Sequence, residues 1–396
     1  MKTPTLTRRH YLSAVLIGST ILLSACSDDD NNDDDVLSGS DSDTADLAFI
    51  SGVASDYSSG SISMLETDTL TLSENIVATG SDIAVKAYGD HYYLIERLGT
   101  DAITKFAVDA PTTPVWNYSV RDDSDLNAPN PYDIVFAGED KAYVVRYSSD
   151  TAWVINPSAE SEAQFKTGEL DLSAYNPGDN TVEMNRGLIV GDKLFISMQR
   201  YEDADYSTIA DAYVAVFDIN DDSEIDTGTD DTFKGIKLPV LNPDSMVYNE
   251  DDGLIYVQGF GTWAMDYQGG IATIDPDTYS VGMLIDDDND GTATYGGQIS
   301  KMTVTDGSDG YFVSYAGWGD TSLYHFNTVT GEANAVEGFS NTDIRMITSH
   351  DGQLWVSTAA AASGTASLSI IDPADDSVLN TVSTGLNPTG IAFTDR

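Results

Sequence analysis

Arginine is scarce in this sequence and unevenly placed. Beyond residue 25 there are seven: Arg97, Arg121, Arg146, Arg186, Arg200, Arg345 and Arg396. Arg97, Arg146 and Arg200 each follow an apolar run of the same form, as in Tyr93-Leu94-Ile95-Glu96-Arg97 and Tyr143-Val144-Val145-Arg146. Arg186 and Arg345 stand at or near the start of other such runs. Aromatic residues fall at equivalent places: Tyr147, Tyr201, Phe260, Trp263, Tyr315 and Trp318. A guanidinium fork binds carboxylate, phosphate or catecholate oxygens and stacks on planar rings. Tyrosine and tryptophan add flat apolar area. Gathered on one face, these groups would hold a small anionic or aromatic ligand, such as a ferric siderophore, a corrinoid or an acidic glycan. The same arginines could instead pair with carboxylates such as Asp82, Asp133 and Asp244 and brace neighbouring elements, and the two readings can hold for different residues.

A second constellation is Asp286-Asp287-Asp288-Asn289-Asp290-Gly291-Thr292, which contains the D-x-D-x-D-G half of a calcium loop. Alternate carboxylates converge on a hard cation, so Asp286, Asp288, Asp290 and Thr292 are the candidate Ca2+ ligands. Gly297 occupies the twelfth place where an EF-hand needs glutamate, so that motif is excluded. Asp218, Asn220, Asp222 and Glu224 form a weaker run of the same kind. Redox and zinc chemistry find little to work with. Only His91, His325 and His350 lie beyond the N-terminal segment, widely separated, and Cys26 is the sole cysteine. There is no G-x-S-x-G elbow and no H-E-x-x-H, which argues against an enzyme. A calcium-dependent hydrolase or lactonase is the residual catalytic reading.

The N-terminus reads as an export and anchoring signal. Lys2, Arg8 and Arg9 precede the short apolar stretch Tyr11 to Ser24, and Leu23-Ser24-Ala25-Cys26 has the form of a lipobox. Residues 1–25 are therefore expected to be a lipoprotein signal peptide, with Cys26 lipidated. Thr7-Arg8-Arg9-His10-Tyr11-Leu12-Ser13 resembles a twin-arginine export motif, and an ordinary Sec signal accounts for the two arginines equally well. Ser27 after the cysteine favours outer-membrane sorting by analogy. Residues 26–46 are mostly Asp, Asn, Ser and Gly and should form a disordered, acidic tether. Past the signal, 15 Lys and Arg remain against 65 Asp and Glu, a net charge of −50. Such a surface repels nucleic acid, and solubility at high ionic strength is its plainest explanation.

The elements that must position these side chains are short strands in a repeat. From Leu47 onward, apolar strand pairs recur, as in Asp133-Ile134-Val135-Phe136, a Gly138-Glu139-Asp140 turn, then Ala142-Tyr143-Val144-Val145. Third strands end alike, in Ile155-Asn156-Pro157, Ile274-Asp275-Pro276 and Ile371-Asp372-Pro373. A spacing of roughly 45 to 55 residues with four short strands each is a propeller blade. Six blades start near Gly80, Asn130, Met184, Asn242, Gly296 and Thr342. Asn387 to Phe393 then supplies one lone first strand, and Leu47 to Leu65 lacks that first strand. Pairing the two closes an all-β, seven-bladed β-propeller of four-stranded blades over residues 47–396, removing both free edges.

The stretches Gly80 to Ile103, Asn130 to Tyr147 and Glu183 to Arg200 resemble successive blades of the YncE/YVTN-like propeller lipoproteins, and the likeness spans nearly the whole domain. The resemblance implies the fold and a cell-envelope location. Within the broader group some surface lipoproteins capture corrinoids or ferric siderophores for TonB-dependent transporters. Capture of such a ligand by a monomer, with an outer-membrane transporter as partner, is the leading expectation, and a protein–protein scaffold or adhesion module is the alternative.

Overall fold

Second strands such as Lys141–Arg146 and Lys193–Met198 are buried on both faces almost throughout, which is why they read as unbroken apolar runs. Their alternate side chains serve two different interfaces. Ala142 and Val144 pack toward the preceding blade, and Tyr143 and Val145 pack toward the following one. Among the described residues the apolar core divides into seven clusters, each bridging two adjacent sheets. The computed structural model describes residues 46–123, 125, 127–178, 181–202, 209–262, 268–288, 292–360 and 365–394. The expected signal peptide, Cys26 and most of the tether lie outside them, as do Trp263 and Asp290.

Those sheets are seven antiparallel blades of four strands. The innermost strands of blades one to six are Ile83–Tyr88, Pro131–Gly138, Met184–Val190, Pro243–Asn249, Gln298–Val304 and Ile344–His350. Blade seven is built from both ends of the chain. Its inner strand is Asn387–Thr394, followed outward by Leu47–Val53, Gly60–Glu66 and Thr71–Thr79. Leu47 pairs with Thr394 and Val53 with Asn387, which is the closure expected from the sequence. Each inner strand also contacts the next one round the ring, so the circle is complete.

Polar side chains lock neighbouring blades at the rim. The Tyr143 hydroxyl donates to Asp222 of blade three (2.6 Å), and the Tyr311 hydroxyl of blade five donates to Asp376 of blade six (2.7 Å). Lys105 donates to the Pro157 carbonyl and Lys193 to the Pro276 carbonyl. The recurring turn after the third strand is thus an acceptor for the previous blade, which gives the repeated Asn-Pro and Asp-Pro pairs a physical purpose.

Candidate functional site

Six of the seven innermost strand pairs carry a β-bulge at the same end, where one inner-strand residue has no partner opposite. The skipped residues are Tyr132, Asn185, Asp244, Ser300, Arg345 and Thr389. A bulge leaves one residue out of the ladder and re-aims its side chain. All six line a single cavity of about 790 Å3. Asp82, one residue before the inner strand of blade one, supplies the seventh position. Every blade therefore contributes to the floor. The walls come from the ends of the second strands and the loops after them, and include Tyr147, Tyr201, Phe260, Tyr315 and Trp318.

Left-handed backbone helps set those loops. Asn130, Glu183 and Asn242 have φ of 52°, 47° and 54° just before the inner strands of blades two, three and four. Asparagine tolerates this region better than most residues. Their carbonyls accept from Tyr147, Gln199 and Phe260 N–H groups at the cavity wall. The Asn130 side chain also accepts from the Leu98 N–H of blade one (3.2 Å), tying two walls together.

The site residues read from sequence divide sharply. Tyr147, Tyr201, Phe260, Tyr315, Trp318 and Arg345 are brought together at the cavity. Arg345 is gripped by Asp343 (2.6 Å from Nε) and by the Tyr57 hydroxyl (2.9 Å), and it lies 4.5 Å from the Trp318 ring centroid. Trp318 remains 70% exposed over it. Arg97 stands behind the wall, paired with Asp82 (2.6 Å) and 4.7 Å from the Tyr132 ring, which stacks in turn on Tyr147 at 4.4 Å. Arg186 pairs with Asp244 (3.1 Å), bracing blades three and four. Arg146 and Arg200 do not line the cavity. Arg146 is buried, donates to Asp125 and Thr151, and stacks on Trp153. Arg200 donates to the Tyr175 and Asp211 carbonyls and lies over Tyr213. Both turn away because an acceptor and an aromatic face wait inside their own blade.

Charge at the floor is mixed. Burial works to raise the Asp244 carboxyl, but Lys301 at 2.7 Å and Arg186 at 3.1 Å hold it well below the usual carboxylate range. Burial raises the Tyr132 phenol, so it stays neutral at physiological pH. The cavity thus offers aromatic faces, neutral donors such as Asn185 and Gln199, and two cations, Lys301 and Arg345. Sequence reasoning missed Tyr132, Lys301 and Tyr57. Lys301 follows its bulge as Arg186 does, so attention to lysine as well as arginine would have found it. Tyr57 sits in a turn with no distinguishing signal.

At the candidate calcium loop, Asp286 accepts from the Asp288 N–H (3.0 Å) and Thr292 is exposed. The second acidic run does not converge. Asp222 faces Lys141 and Tyr143, Glu224 faces Tyr175 and Lys234, and Asp218 accepts from Asn220.

No family model and no curated protein matches the chain. Solved structures match in fold. A protein from Lactobacillus plantarum aligns with a TM-score of 0.60 at 16% identity, over 89% of this chain and 99% of that one. The periplasmic gluconolactonase PpgL of Pseudomonas aeruginosa aligns at 0.59 and 14% identity, over 89% and 99%. Hydrazine synthase of Kuenenia stuttgartiensis aligns at 0.52 and 13%, over 85% and 95%. At these identities the likeness is one of architecture, and one architecture serves many chemistries.

Proposed function

We propose that this chain is an exported, lipid-anchored capture protein of the YncE/YVTN-like kind, tethered through Cys26 to the outer membrane. Its ligand is a small ring-bearing molecule with at least one anionic group, handed on to an outer-membrane transporter. The observation that supports this is the cavity itself: six bulge residues at its floor and five aromatic side chains at its wall, with Lys301 and Arg345 as its cations. Concave, mostly apolar sites with a few placed polar groups are the usual form of small-molecule pockets. Because Arg345 and Lys301 already face carboxylates, the rings carry most of the contact area and the anion fixes orientation. A calcium ion at Asp286, Asp288, Asp290 and Thr292 belongs to the same reading, and chelation should then lower the melting temperature.

A docking role for the same face draws support from its rim, where Trp318, Leu98 and Tyr57 are large apolar side chains left 70%, 66% and 48% exposed. Native mass spectrometry on the chain purified from its own host separates the readings. Capture predicts a bound organic molecule that is lost in Trp318→Ala and Tyr315→Ala without loss of fold. A bare chain that co-purifies with a protein partner replaces capture by docking. Turnover of a lactone replaces it by catalysis.

A further inference from the structure

The opposite end of the blades holds a different group of side chains. The inner strand of blade six runs from Ile344 at the cavity to His350 at the other face, about 20 Å away at the usual rise per residue. There the His350 Nε2 stands 3.7 Å from an Asp46 oxygen and 3.6 Å from an Asp351 oxygen. One ligand atom from each of the three residues lies within 4.8 Å of the other two. These separations are too long for hydrogen bonds, and the buried Nε2 has no hydrogen-bond partner. Two bonds of about 2.1 Å meeting at a tetrahedral angle would hold their ligand atoms about 3.4 Å apart. The two histidine–carboxylate spacings are that distance opened by two or three tenths of an ångström.

The ring is also pre-set. His350 stacks on Phe393 at 3.8 Å and 5°, and Trp355 meets Phe393 edge-on at 5.2 Å. Asp46 is fixed by its carbonyl, which accepts from the Thr67 N–H (3.1 Å) and hydroxyl (2.9 Å). Asp351 sits in a two-residue hairpin turn with φ of 50°, followed by Gly352 at 66°, which turns its side chain back toward the strand end. A Cβ on Gly352 would lie 2.9 Å from an Asp306 oxygen, so a further carboxylate adds negative potential nearby.

We infer that Asp46, His350 and Asp351 form a binding site for a borderline divalent cation of the zinc type. One imidazole and two carboxylates suit zinc and its first-row neighbours, whereas calcium takes oxygen alone. The cation fastens Asp46, through which residues 1–45 join the propeller, to blade six. It therefore stabilises the ring at its closing blade, where Leu47 pairs with Thr394. Three protein ligands leave coordination positions for water or for a further carboxylate.

The test is zinc titration of the full chain in detergent, after stripping with EDTA and with millimolar calcium present to occupy oxygen-only sites. A single zinc equivalent should bind and raise the melting temperature. His350→Gln should weaken that step at least tenfold and abolish the melting shift. Asp351→Asn, at a turn side chain 75% exposed, should weaken zinc while leaving the metal-free melting temperature unchanged, and it decides the matter if the histidine variant does not fold. Equal zinc affinity in all three proteins, or no stoichiometric zinc step, overturns the inference.

Discussion

Arg146 and Arg345 are the same side chain put to opposite uses. Arg146 is buried against Trp153 with Asp125 as its counter-ion, and Arg345 lines the cavity under Trp318. Removing one partner of a buried pair leaves an uncompensated charge and costs about 3–5 kcal/mol. Arg146→Met should therefore lower stability by that order in urea unfolding and leave ligand capture by the folded fraction intact. Arg345→Gln should do the reverse, weakening capture about tenfold or more with a small effect on stability. If Arg146→Met proves the binding mutant instead, the cavity is not where the ligand sits. The sequence placed these arginines correctly along their blades, because apolar runs mark position. It could not show direction: Arg97 comes just after the second strand of blade one and Arg146 ends the second strand of blade two, yet Arg97 meets Tyr132 of the next blade and Arg146 meets Trp153 of its own. Asp287 adds a pH signature. Burial pushes this fully buried carboxyl up to about 6, against the Gly269 N–H that donates to it. A folded value above the ordinary 3.8 means its stabilising contribution is complete below about 3.8 and is lost as pH rises through about 6. Stability should fall by up to about 3 kcal/mol across that window, and Asp287→Asn should flatten the change. An unaltered pH profile in that variant would assign the effect elsewhere.

Repeats were legible at the scale of the strand because a second strand buried on both faces leaves an unbroken apolar run, as Leu194-Phe195-Ile196 does. The bulges were not legible. The residues they expose are Tyr132, Asn185, Asp244, Ser300, Arg345 and Thr389, which share no chemistry and so carry no pattern. What they share is a place in the pairing register, which exists only once the strands have met. The same closeness of strands makes Gly187 a sensitive position. A Cβ there would stand well inside van der Waals contact of Val135 in the neighbouring inner strand. Inner strands of adjacent blades converge toward the axis, so the backbone has little room to retreat. Gly187→Ala should cost about 1–3 kcal/mol through overpacking, read as a lower urea midpoint with an unchanged slope. A neutral result would mean that blades two and three can slide apart, and that the cavity floor is softer than its register implies.

Closure of the ring is the property on which the whole molecule depends. Asn387–Thr394 is the inner strand of a sheet whose other strands are the first three among the described residues, so the last of these strands holds the first. Asn387 also accepts from the Ala360 N–H of blade six (2.9 Å) and donates to Ser55 (3.1 Å), clipping two blades across the seam. A chain ending at residue 386 would expose the edge of Leu47–Val53 and remove Ala392 from the cluster that joins blade seven to blade one. It would also take Thr389 out of the cavity floor. Unpaired edges invite pairing with other chains, so the truncated protein should melt earlier, with a broader transition and a tendency to aggregate. The missing strand can be returned as a separate peptide, since an open sheet edge accepts an added strand through main-chain hydrogen bonds. A synthetic peptide spanning 387–394 should restore the melting temperature and ligand capture together, in proportion to the amount bound. A scrambled peptide should restore neither. Restored melting without restored capture would mean that the seam matters for stability alone and that the ligand does not sit over the axis. A truncated chain that melts like the intact one would remove the ring from the account, and with it the reason why side chains from seven separate repeats meet in one place.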